Sequence, residues 1–176
     1  MEINKPLPVK CFSGIIFNAT CDIAAFLTDV EKVFGRIDAQ SEIFAFDMTD
    51  YYEKEMGRDL KRMFIAFEKL IFPGQLPEIK LTTNLLEKGR IREDGRTCNL
   101  DPGYLDLDKV ILASAKYAGQ KIYLDQGIYA DPVLSFHRKA FHPYSWSFPD
   151  FSQGRYDEFF LNVRQIYKTQ LKQCSY

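Results

Sequence analysis

The strongest constraint on the fold is the order in which two hydrophobic periodicities follow one another along the chain. Residues 9–17 form a mostly apolar run that predicts a buried strand. The next segment predicts a helix, because its apolar residues recur at the helical period: Ile23, Phe26, Leu27, Val30, Val33 and Phe34. Thr20 or Asp22 would cap this helix, and Gly35 would end it. The chain therefore begins with a strand that leads into an amphipathic helix.

Two further strands are predicted to follow this helix. Residues 43–46 have the composition of a short strand. Residues 60–71 fit either a helix or a strand, because their apolar positions match both periods. We favour a strand, since Met56-Gly57 could turn a hairpin just before it.

A second helix is predicted over residues 77–88. Pro77 suits a first-turn position, where a missing N–H costs nothing, and Gly89 suits the end of the helix. Asp94-Gly95 is a turn signal, and a strand at residues 96–101 is expected after it.

The rest of the chain predicts more strands and one last helix. The expected elements are strands at 110–117 and 121–124 joined by a turn at 118–120, a strand at 128–136, an aromatic loop at 141–151 and a helix from about residue 156. Pro132 marks the strand at 128–136 as an edge strand or as the site of a bulge. The first six elements follow the β-α-β-β-α-β order of a ferredoxin-like α+β domain with helices on one face of an antiparallel sheet. A β-hairpin and a C-terminal helix would extend that core.

Length and composition fit a single cytoplasmic domain spanning residues 1–176. The formal net charge of −1 lacks the basic excess that is typical of nucleic-acid-binding proteins. The four cysteines are widely scattered and form no C-x-x-C pair, which favours reduced thiols over a zinc site or a disulfide framework. No signal peptide and no apolar run long enough to span a bilayer is expected, so no membrane partner is predicted.

Polar side chains alternate along the strand at 96–101 and point to one face. Thr97, Asn99 and Asp101 share this face because side chains in a strand alternate between its two sides. Such a face is either solvated or lines a cleft. The following sequence, Asp101-Pro102-Gly103-Tyr104, predicts a type II turn with proline and glycine at its central positions.

Basic, amide and hydroxyl side chains predict a binding site for an anion. Lys80, Thr83, Asn84 and Glu87 recur at spacings of three and four residues, so they share one face of the second helix. Cations beside amide donors suit a phosphate or a carboxylate. The predicted ligand-binding residues are Lys80, Thr83, Asn84, Arg96, Asn99, Asp101, Tyr104, Lys116, Lys121 and Tyr123. The alternative is ordinary surface charge with cross-strand ion pairs.

An acidic stretch over residues 47–57 suggests a divalent cation such as Mg²⁺ as a cofactor. Asp47, Glu53 and Glu55 would share one face if this stretch were extended, and carboxylate oxygens are ligands that Mg²⁺ and Ca²⁺ prefer. The alternative is a solvated hairpin tip. If the protein catalyses a reaction, metal-assisted phosphoryl hydrolysis is the class that these residues suggest.

Motifs throughout the chain resemble those of the bacterial and archaeal family called domain of unknown function 4416. They are Pro8-Val9-Lys10, Phe34-Gly35-Arg36-Ile37-Asp38, Thr49-Asp50-Tyr51-Tyr52, Glu55-Met56-Gly57, Ile79-Lys80, Thr83-Asn84, Asn99-Leu100-Asp101-Pro102-Gly103-Tyr104-Leu105, Ile122-Tyr123-Leu124, Gly127-Ile128-Tyr129-Ala130, Trp146 and Pro149-Asp150. The resemblance implies no established activity, although some members are described as GTP-binding. This chain contains no G-x-x-x-x-G-K-[ST] phosphate-binding loop, which excludes a conventional GTPase.

Two functions from different classes remain open at the level of sequence. The favoured hypothesis is a protein that binds, and in one version hydrolyses, an anionic nucleotide-like or phosphorylated metabolite. The alternative is a non-enzymatic structural or interaction module, which would self-associate as a homodimer through its sheet or through the aromatic loop.

Overall fold

The fold consists of an antiparallel sheet with helices packed against it. The computed structural model describes residues 2–92 and 95–173, with only the backbone of Arg92. The five helices in these segments are α1 (Ile23–Phe34), α2 (Glu53–Met56), α3 (Leu76–Lys88), α4 (Pro149–Ser152) and α5 (Asp157–Gln173), and a 3₁₀ turn (Pro73–Gln75) precedes α3. The strands are β1 (Val9–Phe17), β2 (Ile37–Gln40), β3 (Phe44–Ala45), β4 (Lys61–Ile71), β5 (Ile91–Arg92), β6 (Gly95–Arg96), β7 (Cys98–Leu105), β8 (Lys109–Ser114), β9 (Ile122–Asp125), β10 (Ile128–His137) and β11 (Ala140–Pro143).

The main sheet has the strand order β11-β10-β8-β7-β1-β4-β2, with β3 also paired to β4 and β9 also paired to β10. All of these pairs are antiparallel. Helix α1 connects β1 to β2, and β4 lies between those two strands. Helix α3 lies on the connection from β4 to β7, and β1 lies between these two strands in the sheet. A separate two-stranded ribbon, β5-β6, follows α3.

Helices cover both faces of the central strands. Every residue of β1 is buried, and its alternating side chains enter two different clusters. Ile15 packs with Phe26 of α1 on one face, whereas Phe12 packs with Phe160 of α5 on the other. The Phe12 and Phe160 rings meet edge to face at 5.2 Å, a favourable geometry for two aromatic rings. The core therefore has two layers separated by the sheet.

Several elements agree with the predictions from sequence. Residues 61–71 form a strand, and α3 begins one residue earlier than expected. Asp22 rather than Thr20 caps α1, because its Oδ1 accepts a hydrogen bond from the Ala25 N–H at 3.1 Å. Pro132 interrupts the pairing of β10 with β8, so the bulge interpretation of this proline is confirmed.

The predicted type II turn at Asp101-Pro102-Gly103-Tyr104 is wrong, because these residues continue strand β7. Gly103 serves close packing instead of a turn. A Cβ at this position would lie 2.3 Å from the Ile111 carbonyl oxygen and 2.7 Å from Cζ of Phe12. Contacts with two neighbouring strands therefore override the local preference of a Pro-Gly pair.

Three other predictions need correction. Strand β9 pairs with β10 instead of forming a hairpin with β8. The aromatic stretch at 141–151 is not all loop, since its ends belong to β11 and α4. The acidic stretch is not extended, because residues 53–56 form α2.

Asp94, part of a predicted turn, and Cys174 lie outside the described residues. Within the described segments, no helix is both long and apolar enough to cross a membrane.

Candidate functional site

A cavity opens where strands β7 and β8 separate. Their pairing runs from Leu105↔Val110 to Gly103↔Leu112 and ends there. Beyond that point β7 continues beside β1, whereas β8 continues beside β10. Pro102 is the next residue of β7 beyond this last pair, and it has no backbone N–H that could donate a hydrogen bond to β8. The resulting cavity has a volume of about 740 Å³.

Helix α3 supplies the partners that β7 lacks at this open edge. The Leu100 N–H donates to Oε1 of Glu87 at 2.8 Å, and Nζ of Lys80 donates to the Leu100 carbonyl oxygen at 2.8 Å. Lys80 and Glu87 lie about two turns apart, so both project from one side of α3. Two charged side chains thus replace a neighbouring strand. Buried backbone groups need such partners.

Arg96 connects α3 to α2 across the cavity. Its guanidinium group donates to Oε2 of Glu87 at 2.7 Å and to Oε2 of Glu55 at 2.8 Å. Burial raises the pKa of Glu87, while the Leu100 N–H, Lys80 and Arg96 act in the opposite direction. Burial alone would lower the pKa of Arg96, but the carboxylates of Glu87 and Glu55 raise it overall.

Asp101 extends this charged group along β7. Its Oδ1 lies 3.4 Å from Nζ of Lys80, and its Oδ2 accepts a hydrogen bond from Nδ2 of Asn99 at 2.9 Å. The charge of Asp101, followed by burial, raises the pKa of Tyr52. The Tyr52 hydroxyl therefore holds its proton more tightly than that of an exposed tyrosine.

The opposite wall comes from the end of β8 and from β10. Nζ of Lys121 donates to Oγ of Ser114 at 2.8 Å and lies 3.2 Å from Oδ2 of Asp131. Nζ of Lys116 lies 4.4 Å from the centre of the Tyr51 ring, a cation–π distance. Among the described residues, no carboxylate lies within ion-pair distance of Lys116.

A buried ion pair lies beside α4. Arg62 donates to Oδ2 of Asp150, which also accepts a hydrogen bond from the Tyr156 hydroxyl at 2.8 Å. Four aromatic rings surround the Arg62 guanidinium carbon at 4.9–5.5 Å: Phe46, Phe64, Phe151 and Tyr156. These contacts fix α4 at the margin of the cavity.

The cavity has equal numbers of cations and carboxylates in its lining. Its lining contains five cations, Arg62, Lys80, Arg96, Lys116 and Lys121, and five carboxylates, Glu55, Glu87, Asp101, Asp131 and Asp150. Each cation except Lys116 pairs with at least one of these carboxylates. Lys116 is thus the cation in the described lining whose charge is not already matched by an acid.

Seven of the ten residues predicted to bind a ligand line this cavity: Lys80, Asn84, Arg96, Asn99, Asp101, Lys116 and Lys121. The other three are directed elsewhere. The Thr83 hydroxyl is buried and donates to the Lys80 carbonyl oxygen at 2.9 Å. Tyr104 packs against a hydrophobic cluster near Ile111, and the ring of Tyr123 packs edge to face on Tyr129 at 5.4 Å.

The structure separates the three predicted metal ligands. Asp47 pairs with Arg155, Glu53 with Arg58 and Glu55 with Arg96. They do not share a face because α2 is helical from residue 53. Among the described residues, no three His, Cys, Asp or Glu side chains are close enough together to hold a metal ion.

Sequence analysis did not select several residues that line the cavity. Arg62, Asp131 and Asp150 are charged yet almost fully buried, and each pairs with a residue outside its own helix or strand. A charged residue next to a long apolar strand, such as Arg62 before residues 63–67, is a signal that could have found one of them.

A family model described as a domain of unknown function, DUF4416, matches residues 7–167. No curated protein and no solved structure matches the chain. The description of the family names no activity, so the function has to be inferred from the cavity and its side chains.

Proposed function

The chain belongs to the DUF4416 family, and we propose that it binds a small anionic metabolite, nucleotide-like or phosphorylated, in the cavity between β7 and β8. The observation that carries this proposal is the position of Lys116. This lysine lines a cavity of about 740 Å³ and has no carboxylate partner among the described residues, whereas the other lining cations are paired. Lys116 is exposed and has no carboxylate partner in the described segments, so its ammonium group is available to pair with an anionic group of a ligand.

The size and composition of the cavity support a binding role. Its volume is within the range of about 300–1,000 Å³ that is typical of small-molecule pockets. Burying charged side chains is costly, and apolar residues of similar volume would fill the space more cheaply. Lys80, Glu87 and Asp131 are each less than a tenth exposed. Lys80 and Glu87 satisfy the backbone of Leu100, but Oδ1 of Asp131 has no such partner among the described residues, so a polar ligand explains this carboxylate better than stability does.

The strand order supports a ferredoxin-like core as the scaffold of this site. In the segment β7-β1-β4-β2, α1 and α3 each lie on a connection that passes over one intervening strand. This is the arrangement that a β-α-β-β-α-β unit forms when both crossovers are split. A cytoplasmic location is part of the same proposal, and the free thiols of Cys11, Cys21 and Cys98 support it.

A second candidate function, self-association, is favoured by exposed aromatic residues. Trp146 is 44% exposed and Phe148 is 50% exposed, and both lie in the segment between β11 and α4. Exposed aromatic groups are enriched at protein interfaces. A homodimer formed through this segment would elute as a dimer on a sizing column, and a Trp146→Ala, Phe148→Ala double variant would elute as a monomer.

A thermal-shift screen tests the binding proposal. The full chain is melted with inorganic phosphate, sugar phosphates and nucleotides, each with and without Mg²⁺. We expect at least one phosphorylated compound to raise the melting temperature, since a ligand that binds only the folded state stabilises it.

Lys116→Met should abolish that shift because it removes the unmatched cation while keeping most of the side-chain volume. The matched control is Lys168→Met, which changes an exposed lysine on α5. A shift that Lys116→Met leaves intact, or the absence of any shift with every compound, would contradict the proposed site.

A further inference from the structure

Two polar atoms on residues that line the cavity are buried without a partner. They are Oδ1 of Asp131 and Nε of Arg62, and neither has a hydrogen-bond partner within the described part of the chain. Asp131 is 4% exposed and Arg62 is 5% exposed. Buried polar groups are almost always hydrogen-bonded in folded proteins, so each of these atoms indicates a missing partner.

The chemistry of Asp131 specifies what its partner must offer. Lys121 occupies Oδ2 at 3.2 Å, which leaves Oδ1 to be satisfied. A carboxylate accepts hydrogen bonds and does not donate them, so the ligand must present an N–H or O–H group. Nε of Arg62 only donates, and four aromatic rings surround its guanidinium group, so this atom is not assigned to the ligand.

Aromatic side chains form another part of the lining. Phe46, Tyr51, Tyr52 and Phe148 all contribute to it. The rings of Tyr51 and Tyr52 meet edge to face with their centres 5.0 Å apart. Flat rings pack well on such a surface, both by stacking and by edge-to-face contact.

Lys116 and Asp131 belong to the same wall of the cavity. The Lys116 N–H donates to Oγ of Ser114 at 3.2 Å, and the same hydroxyl oxygen accepts from Lys121, which pairs with Asp131. Both residues therefore line the same cavity, joined through Ser114 and Lys121 by way of the Lys116 backbone. Without Lys116 the lining contains four cations and five carboxylates, so it provides no surplus of cations for a polyphosphate.

We propose that the cavity selects a nucleoside monophosphate over both a nucleoside triphosphate and a sugar phosphate without a base. An N–H group of the base donates to Oδ1 of Asp131, the flat base packs on the aromatic part of the lining, and the phosphate pairs with Lys116. This inference rests on the proposed function, to which it adds the class of ligand.

Calorimetric titration of the full chain tests this selectivity. The ligands are the common nucleoside monophosphates, the matching triphosphates, ribose 5-phosphate and inorganic phosphate. We expect at least one monophosphate to bind about tenfold or more tightly than ribose 5-phosphate, because a hydrogen bond to a charged group is lost without the base. The same monophosphate should bind more tightly than its triphosphate, because the lining has no surplus of cations for the added phosphates.

Asp131→Asn tests the assigned role of the carboxylate with little change of shape. The variant should weaken binding of the monophosphate about tenfold, whereas the affinity for ribose 5-phosphate should not fall, because Lys121 loses its carboxylate partner. Lys116→Met should weaken both ligands, and Lys168→Met should weaken neither. Circular dichroism of each variant without ligand checks its fold, and the comparison of ligands on the unaltered chain remains decisive if Asp131→Asn unfolds.

Each outcome has a distinct meaning. Equal affinity for the monophosphate and ribose 5-phosphate, tighter binding of the triphosphate, or an unchanged affinity in folded Asp131→Asn would overturn this inference and leave the proposed anion site standing. No binding of any phosphorylated compound would overturn the proposed function, and this inference with it.

Discussion

Glu87 shows how one side chain serves both the fold and the cavity. Its Oε1 accepts the hydrogen bond of the Leu100 N–H, and its Oε2 accepts from Arg96. The first contact satisfies an open strand edge, and the second holds a cation in the lining. Burial nevertheless raises the pKa of Glu87, so the charged form is disfavoured relative to an exposed glutamate.

This raised pKa predicts the sign of a pH effect on stability. The folded chain holds the Glu87 proton more tightly than the unfolded chain, so this group stabilises the fold at low pH. Its contribution is lost as pH rises from about the ordinary value of 4.5 through the raised pKa of the folded state. Glutamine does not titrate, so the Glu87→Gln variant does not lose this stability as pH rises.

Urea unfolding at pH values from about 4 to 8 measures the effect. The free energy of unfolding of Glu87→Gln minus that of the unaltered chain should increase with pH, because every other titrating group largely cancels in the difference. A difference that decreases with pH would mean that the ion pairs of Glu87 outweigh its burial.

At the scale of elements, the cavity depends on how closely β7 approaches its neighbours before it separates from β8. Gly103 lies in the last paired position, where a Cβ would lie 2.3 Å from the Ile111 carbonyl oxygen. The backbone of β8 and the ring of Phe12 thus both require glycine here. The separation of the two strands begins directly beyond this tight contact.

Gly103→Ala should therefore destabilise the protein by about 1–3 kcal/mol, the usual cost of overpacking a core. Gly119→Ala is the matched control, because nothing lies within 4 Å of a Cβ at that position. We expect the control to change the free energy of unfolding by no more than about 0.5 kcal/mol. Equal effects of the two substitutions in urea unfolding would contradict the packing that we assign to Gly103.

The whole molecule places a polar cavity in a sheet whose two faces are covered by helices. Side chains of α2 and α3, the start of α4, the end of β8 and Asp131 of β10 meet where the sheet divides. The large aromatic cluster around Phe64 and Phe160 packs next to this region and holds α5 against the sheet. The rigid part of the fold thus positions charged groups that are far apart in sequence.

Hydrophobic periodicity predicted the helices and strands of this molecule better than it predicted the contacts between them. Helical spacing predicted that Lys80, Thr83, Asn84 and Glu87 share one face of α3, and three of them line the cavity, whereas the Thr83 hydroxyl donates to the Lys80 carbonyl oxygen. The Pro-Gly pair at 102–103 has the local preference of a turn. Contacts with residues distant in sequence hold it in a strand instead, and local sequence does not show those contacts. Arg62 pairs with Asp150 across 88 residues, a contact that no local pattern records.

The most direct test of the central claim is a crystal structure of the full chain soaked with the nucleoside monophosphate that binds best. We predict that the ligand occupies the cavity between β7 and β8, with its phosphate within about 4 Å of Nζ of Lys116, the limit for an ion pair. A ligand bound at any other place on the molecule, with the cavity lining untouched, would contradict the account.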